Sequence, residues 1–108
     1  MNRTDDVVSI AVYETATFIC TAVSDDSSVI TYRWYYAEHL QPLVIDNRTY
    51  HVDGRRLTVD TQFDDDGGLG RAGTYRCVAD NGYSSDVATF QLDVDHSRLT
   101  FHIHTFSL

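Results

Sequence analysis

The chain has 108 residues, of which 43% are hydrophobic, with one proline and a net charge of −8 from 8 basic and 16 acidic side chains. That composition describes one compact domain with one core, and its acidity excludes nucleic acid as a partner, because phosphate binding needs a basic field. No apolar run approaches the roughly 20 residues that a helix needs to cross a bilayer.

Residues 1–6 are read as a leader or linker, and residues 7–95 as the folded domain. Ala16, Phe18, Cys20 and Ala22 share one face of a predicted strand, with Thr17, Ile19 and Thr21 on the other. The next strand turns Ile30, Tyr32, Trp34 and Tyr36 inward and Thr31, Arg33 and Tyr35 outward. Segments 50–52 and 57–59 flank Asp53-Gly54, a pair suited to the positive φ angles of a tight hairpin. Segment 74–79 turns Tyr75, Cys77 and Ala79 inward against Arg76 and Val78, and 87–94 turns Ala88, Phe90, Leu92 and Val94 inward, with Asn81-Gly82 as the turn between them. No segment holds a helical period over ten or more residues, so the chain is all β, and strands this short with turn signals between them predict a two-sheet sandwich or a small barrel.

Residues 96–108, HSRLTFHIHTFSL, lie beyond the last core strand as an extension or an interdomain junction. Their Leu99, Phe101 and Ile103 alternate with His102 and His104, whose spacing on one face of an extended segment suits zinc or nickel, but no third ligand stands nearby. Asp60, Asp64, Asp65 and Asp66 beside Gly67-Gly68 gather carboxylates as a hard cation requires. Their spacing neither alternates nor ends in a glutamate, so they are read as a solvated loop tip, and no metal or cofactor is expected. Ser9, Ser24, Ser27 and Ser28 lack the glycines of a nucleophile elbow, and no nucleophile stands beside a base, so the chain is not expected to be an enzyme.

The two cysteines, Cys20 and Cys77, either form a bridge or sit buried and reduced, and the compartment decides which. Asn2-Arg3-Thr4 and Asn47-Arg48-Thr49 are N-glycosylation sequons, at Asn2 and Asn47. On the outward faces, Arg33 and Tyr35 with Arg76 and Val78, and Thr89 and Gln91 on the next strand, form the candidate partner-binding face, because arginine and tyrosine are enriched at interface hot spots.

Cys20, then Trp34, then Leu57-Thr58-Val59, then Gly73-Thr74-Tyr75-Arg76-Cys77 resembles an immunoglobulin domain, over about residues 7–95. The resemblance implies an immunoglobulin-like β-sandwich of the intermediate (I-set) kind with one inter-sheet disulfide, Cys20 to Cys77. It further implies that Trp34 packs against that bridge, that Leu57 belongs to the core, and that Tyr75 ties a corner by its hydroxyl. The stretch from Trp34 to Leu57 is too short for the extra edge strands of a variable-type domain. One position departs from the family: Arg71 stands where an aspartate is usual, and aligning Asp66-Gly67-Gly68 to that place implies a pair between Asp66 and Arg48.

The wording ATFICTAV, YRW and GTYRCVADNGYSSDVATFQLDV is similar to domains of neural cell-adhesion molecules such as neuroglian, neurofascin and contactin. That likeness implies a non-catalytic binding or spacer domain of a larger cell-surface adhesion molecule or receptor, outside the cell, with neighbouring domains and a homophilic or heterophilic protein partner. Two alternatives stay open: an intracellular structural domain of muscle or cytoskeleton, and a soluble ligand-binding or immune receptor domain.

Overall fold

Period-two alternation sets the architecture. The computed structural model describes residues 6–23 and 29–95. In it the alternating segments become seven strands: β1 (Asp6–Ala11), β2 (Thr15–Ile19), β3 (Thr31–Tyr36), β4 (Tyr50–Asp53), β5 (Arg56–Asp60), β6 (Gly73–Asp80) and β7 (Ser85–Asp95). A 3-10 turn, Leu69–Arg71, leads into β6. Asn2, Ser24, Ser27, Ser28 and the tail with Leu99, Phe101, Ile103 and the two histidines His102 and His104 lie outside the described residues.

One sheet has the order β1-β7-β6-β3 and the other β2-β5-β4. Every pairing is antiparallel except that of β1 with β7, which run parallel from Asp6 beside Phe90 to Ala11 beside Asp95. The hairpin joining β4 to β5 turns at Asp53-Gly54, where Gly54 has φ +56°. The turn joining β6 to β7 is held by side chains: Asn81 Oδ1 accepts from the N–H groups of Tyr83 and Ser84, both at 2.9 Å, and Asp80 Oδ1 from that of Gly82 at 2.7 Å. Between β3 and β4 the chain forms no strand, in keeping with the short spacing from Trp34 to Leu57, and Leu43 N–H donates to Trp34 O at 2.9 Å.

The inward residues of both sheets form one core, in which Leu57, Val59, Tyr75, Cys77 and Leu92 are completely buried. Phe18 sits 5.4 Å from the Tyr75 ring and 5.2 Å from the Phe90 ring, and Trp34 sits 5.7 Å from Phe90, all tilted. Each such aromatic pair adds about 0.5–1.5 kcal/mol beyond the area it buries. Trp34 stands opposite Cys77 in the β3–β6 register, and its indole N–H reaches across to Gly54 O at 3.4 Å. Cys20 and Cys77 are bridged with their Cα atoms 6.4 Å apart, which joins the two sheets through the centre of the core. Closing a separation of 57 residues contributes about 4 kcal/mol on the chain-entropy model, a large share of what holds a domain of this size together.

Candidate recognition surface

At one end of the sandwich three tyrosines meet. The Tyr75 ring lies 5.0 Å from that of Tyr36 and 6.3 Å from that of Tyr50, both edge-on. The Tyr75 hydroxyl donates to Arg71 O at 2.7 Å, and the Tyr36 hydroxyl donates to Ala72 O. Burial, aided by the Tyr50 hydroxyl 3.4 Å away, pushes the Tyr75 phenol far above its usual range, so this hydroxyl remains a proton donor throughout the working pH range. Two consecutive carbonyls of the turn before β6 are thereby held by side chains from β6 and β3.

The expected pair of Asp66 with Arg48 does not form. Asp66 turns its carboxylate back on its own loop, accepting from Gly68 N–H at 2.9 Å and Gly70 N–H at 2.8 Å, and these bonds hold its pKa below the ordinary value. Arg48 instead rests with its guanidinium 5.3 Å from the centre of the Phe63 ring. Donors two and four residues along the chain win because ordering them costs less entropy than fixing a long arginine at a distance. The ion pair at this end is made by Arg71, whose guanidinium faces Asp64 at 3.1 Å and 3.3 Å and lies 5.2 Å from the Tyr50 ring. The hydrogen bond to Asp64 raises the Arg71 pKa, against the opposing effect of burial.

These bonds account for three of the four carboxylates of the acidic stretch, those of Asp60, Asp64 and Asp66. Asp64 serves Arg71, Asp66 serves two backbone N–H groups, and Asp60 accepts from the Gln62 side chain at 2.8 Å and the Gln62 N–H at 3.1 Å. Among the described residues no group of histidines, cysteines or carboxylates is arranged to hold a metal ion. Gly68, with φ +99°, is a glycine because a Cβ there would lie 2.4 Å from Thr61 Cγ2, and Thr61 is completely buried.

Three rows of the outer face of the four-stranded sheet run across β3, β6 and β7. Thr31 and Asp80 pair with Ser85 beyond them; Arg33, Val78 and Val87 follow; then Tyr35, Arg76 and Thr89. The four candidate residues lie together on this face but differ in what they can offer. Arg76 stacks 4.6 Å over the Tyr35 ring and donates to Ala37 O at 3.1 Å and His39 O at 2.7 Å. It is spent on the chain that leaves β3, and it covers one side of Tyr35. Arg33 is exposed and forms no hydrogen bond or ion pair among the described residues. Gln91 accepts from the Thr74 hydroxyl at 2.8 Å.

Two features of this face carried no signal in the sequence reading. Val87, 44% exposed beside Val78, extends the apolar middle of the face. Around the free edge of β3, Tyr32, Arg33, Pro42, Leu43, Ile45 and Val52 line an apolar cleft of about 170 Å³. It exists because segment 37–49 folds back over β3 without becoming a strand, and such a segment has no periodicity to read.

Several solved structures share this architecture. The N-terminal four immunoglobulin domains of Dscam1 isoform 4.4 match with a TM-score of 0.69 at 19% identity, over 87% of this chain and 23% of that one. The N-terminal eight immunoglobulin domains of Down Syndrome Cell Adhesion Molecule isoform 1.30.30 match with a TM-score of 0.67 at 19% identity, over 82% of this chain and 13% of that one. The M1 domain from titin matches with a TM-score of 0.61 at 22% identity, over 83% of this chain and 87% of that one. The chain thus spans less than a quarter of the Dscam chains it matches and most of the titin domain. No protein-family model matches this chain, and no match is found among the curated proteins.

Proposed function

We propose that this chain, folded as an immunoglobulin domain, is a protein-recognition or spacer domain of a larger cell-surface adhesion molecule or receptor. It acts by surface complementarity and makes or breaks no bond. The observation that carries the reading is Arg33: an exposed guanidinium left unspent, at the rim of an apolar cleft and beside the Val78–Val87 pair. Arg76 beside it is tied internally, so among the described residues this face offers a partner an open guanidinium with apolar surface on both sides, the composition of an interface anchor. The Cys20–Cys77 bridge supports a place outside the cell, where disulfides persist. The likeness to Down Syndrome Cell Adhesion Molecule supports adhesion as the setting.

The comparable likeness to the M1 domain from titin favours a second reading, a structural domain that bears load. The two readings separate by experiment. The domain, secreted and displayed on beads, is tested against itself and against a panel of ectodomains, beside the Arg33→Glu and Tyr35→Ala variants. Recognition through this face requires a binder that Arg33→Glu weakens at least about tenfold with the melting temperature unchanged. Binding indifferent to both substitutions removes this face from the reading, and free thiols in protein taken from its native cells would favour the structural one.

A further inference from the structure

The geometry points to Asn47 as the attachment site of an N-linked glycan that covers the free edge of β4. This rests on the extracellular reading above. Asn47 opens the sequon Asn47-Arg48-Thr49 and sits exposed at the tip of the turn that enters β4. Its backbone is in the left-handed region, with φ +58°, a conformation asparagine tolerates better than most residues. The turn does not depend on the Asn47 side chain. Asp46 holds it, one carboxylate oxygen accepting from the N–H groups of Arg48, Thr49 and Tyr50 at 3.0, 2.9 and 3.0 Å, while the Asn47 N–H closes on Tyr50 O at 3.0 Å. The Asn47 amide makes no hydrogen bond among the described residues. A sugar on that nitrogen therefore disturbs nothing the fold uses.

Thr49 fixes when the sugar must arrive. It is only 6% exposed, and its carbonyl accepts the Asp60 N–H at 2.8 Å, so the third residue of the sequon is packed into the fold and cannot adopt the extended pose a transferase reads once the domain has folded. Transfer takes place on the unfolded chain. The Asn47 amide nitrogen attacks C1 of a lipid-pyrophosphate-linked oligosaccharide; the C1–N bond forms, the C1–O bond to the pyrophosphate breaks, and the amide proton passes to the transferase's base.

The position gives the sugar a purpose. β4 is the outer strand of its sheet, paired on one side with β5, and an uncovered strand edge is a template for pairing with other chains. A bulky hydrophilic group at the head of β4 blocks that edge and leaves the outer face of the other sheet, with Arg33, open.

The test is secretion of the full chain from a eukaryotic cell, in an Asn2→Gln background that removes the other sequon, followed by intact mass before and after peptide N-glycosidase. Glycosidase in heavy-oxygen water then marks the modified residue. Expected are one glycan, located at Asn47, lost in Asn47→Gln and kept in Thr49→Ser, together with more aggregation on warming once the sugar is removed. Protein that is secreted and disulfide-bonded yet bare at Asn47 overturns the proposal and leaves the extracellular reading standing. Protein that stays inside the cell with free thiols overturns both. A glycan at Asn47 whose removal leaves aggregation unchanged overturns its role at the β4 edge.

Discussion

Tyr75 gives its hydroxyl proton to the carbonyl of Arg71, four residues earlier in the same chain, at 2.7 Å. The bond closes the turn before β6 onto the core, and the ring below it contacts Phe18, Tyr36 and Tyr50. Tyr75→Phe keeps the ring and removes the bond, leaving one part-buried carbonyl without its partner. The expected cost is about 1–3 kcal/mol in urea unfolding, with the slope of the transition unchanged. A loss below a few tenths would mean that water replaces the hydroxyl.

Arg71 and Arg48 offer a direct comparison, because the family alignment favoured Arg48 and the structure favours Arg71. Arg71 holds Asp64 and covers the Tyr50 ring, and its side chain is about one-third exposed, so solvent discounts the ion pair. Arg71→Ala is expected to cost about 1–2 kcal/mol, and Arg48→Ala, which gives up one exposed ring contact, less than about 1 kcal/mol. Equal melting temperatures for the two variants would contradict this assignment.

Much of the sandwich is visible in the bare chain, and the reason is physical. Phe18, Tyr75 and Phe90 each fall two residues from another buried side chain, and Trp34 falls two from the half-buried Tyr32 and Tyr36, since one face of each sheet meets the core and the other meets water. The surface is less legible. Nothing in the order of residues says that Arg76 is spent on Ala37 and His39 while Arg33 is left over, because that is decided by loop carbonyls brought within 3.1 Å by the fold. The partner of Asp66 was hidden for the same reason. The parallel pairing of β1 with β7 was also out of reach, since DVVSIA alternates weakly and finds its partner some eighty residues later.

Gly68 lends itself to the sharpest mutational test. Gly68→Ala places a methyl group against buried Thr61 and forces a left-handed backbone on alanine. Strain and overpacking together are expected to cost about 2–4 kcal/mol. Gly54→Ala meets open space, with nothing within 4 Å, and is expected to cost about 1 kcal/mol from its positive φ alone. The two thermal midpoints, measured side by side, separate crowding from backbone strain.

Acid is expected to weaken the domain in a defined window. Three backbone N–H groups, those of Tyr50 and Arg48 foremost, hold the Asp46 carboxyl down at about 2 against an ordinary 3.8. Gly68 and Gly70 hold Asp66 down in the same way. The unfolded chain therefore takes up these protons first as the pH falls. The stability these groups lend is whole above about pH 5 and is lost as the pH drops through the ordinary carboxylate range toward about 2. The thermal midpoint is expected to fall across that window, and Asp46→Ala is expected to make the fall shallower while lowering the midpoint at pH 7 by a few degrees. An unaltered acid profile in the variant would show that Asp46 does not contribute to it.

The parallel register of β1 and β7 also has a mechanical meaning. Tension along a longer polypeptide would reach the described fold at Asp6 and leave it at Asp95, and those residues lie at opposite ends of the paired stretch, one beside Phe90 and the other beside Ala11. The two strands are thus pulled past each other along their own axes. The evenly spaced bonds of a parallel ladder then carry the load together and must yield together, where a hairpin opened from its end gives way one bond at a time. The direction of a six-residue strand thus decides whether such a pull would shear the ladder or unzip it.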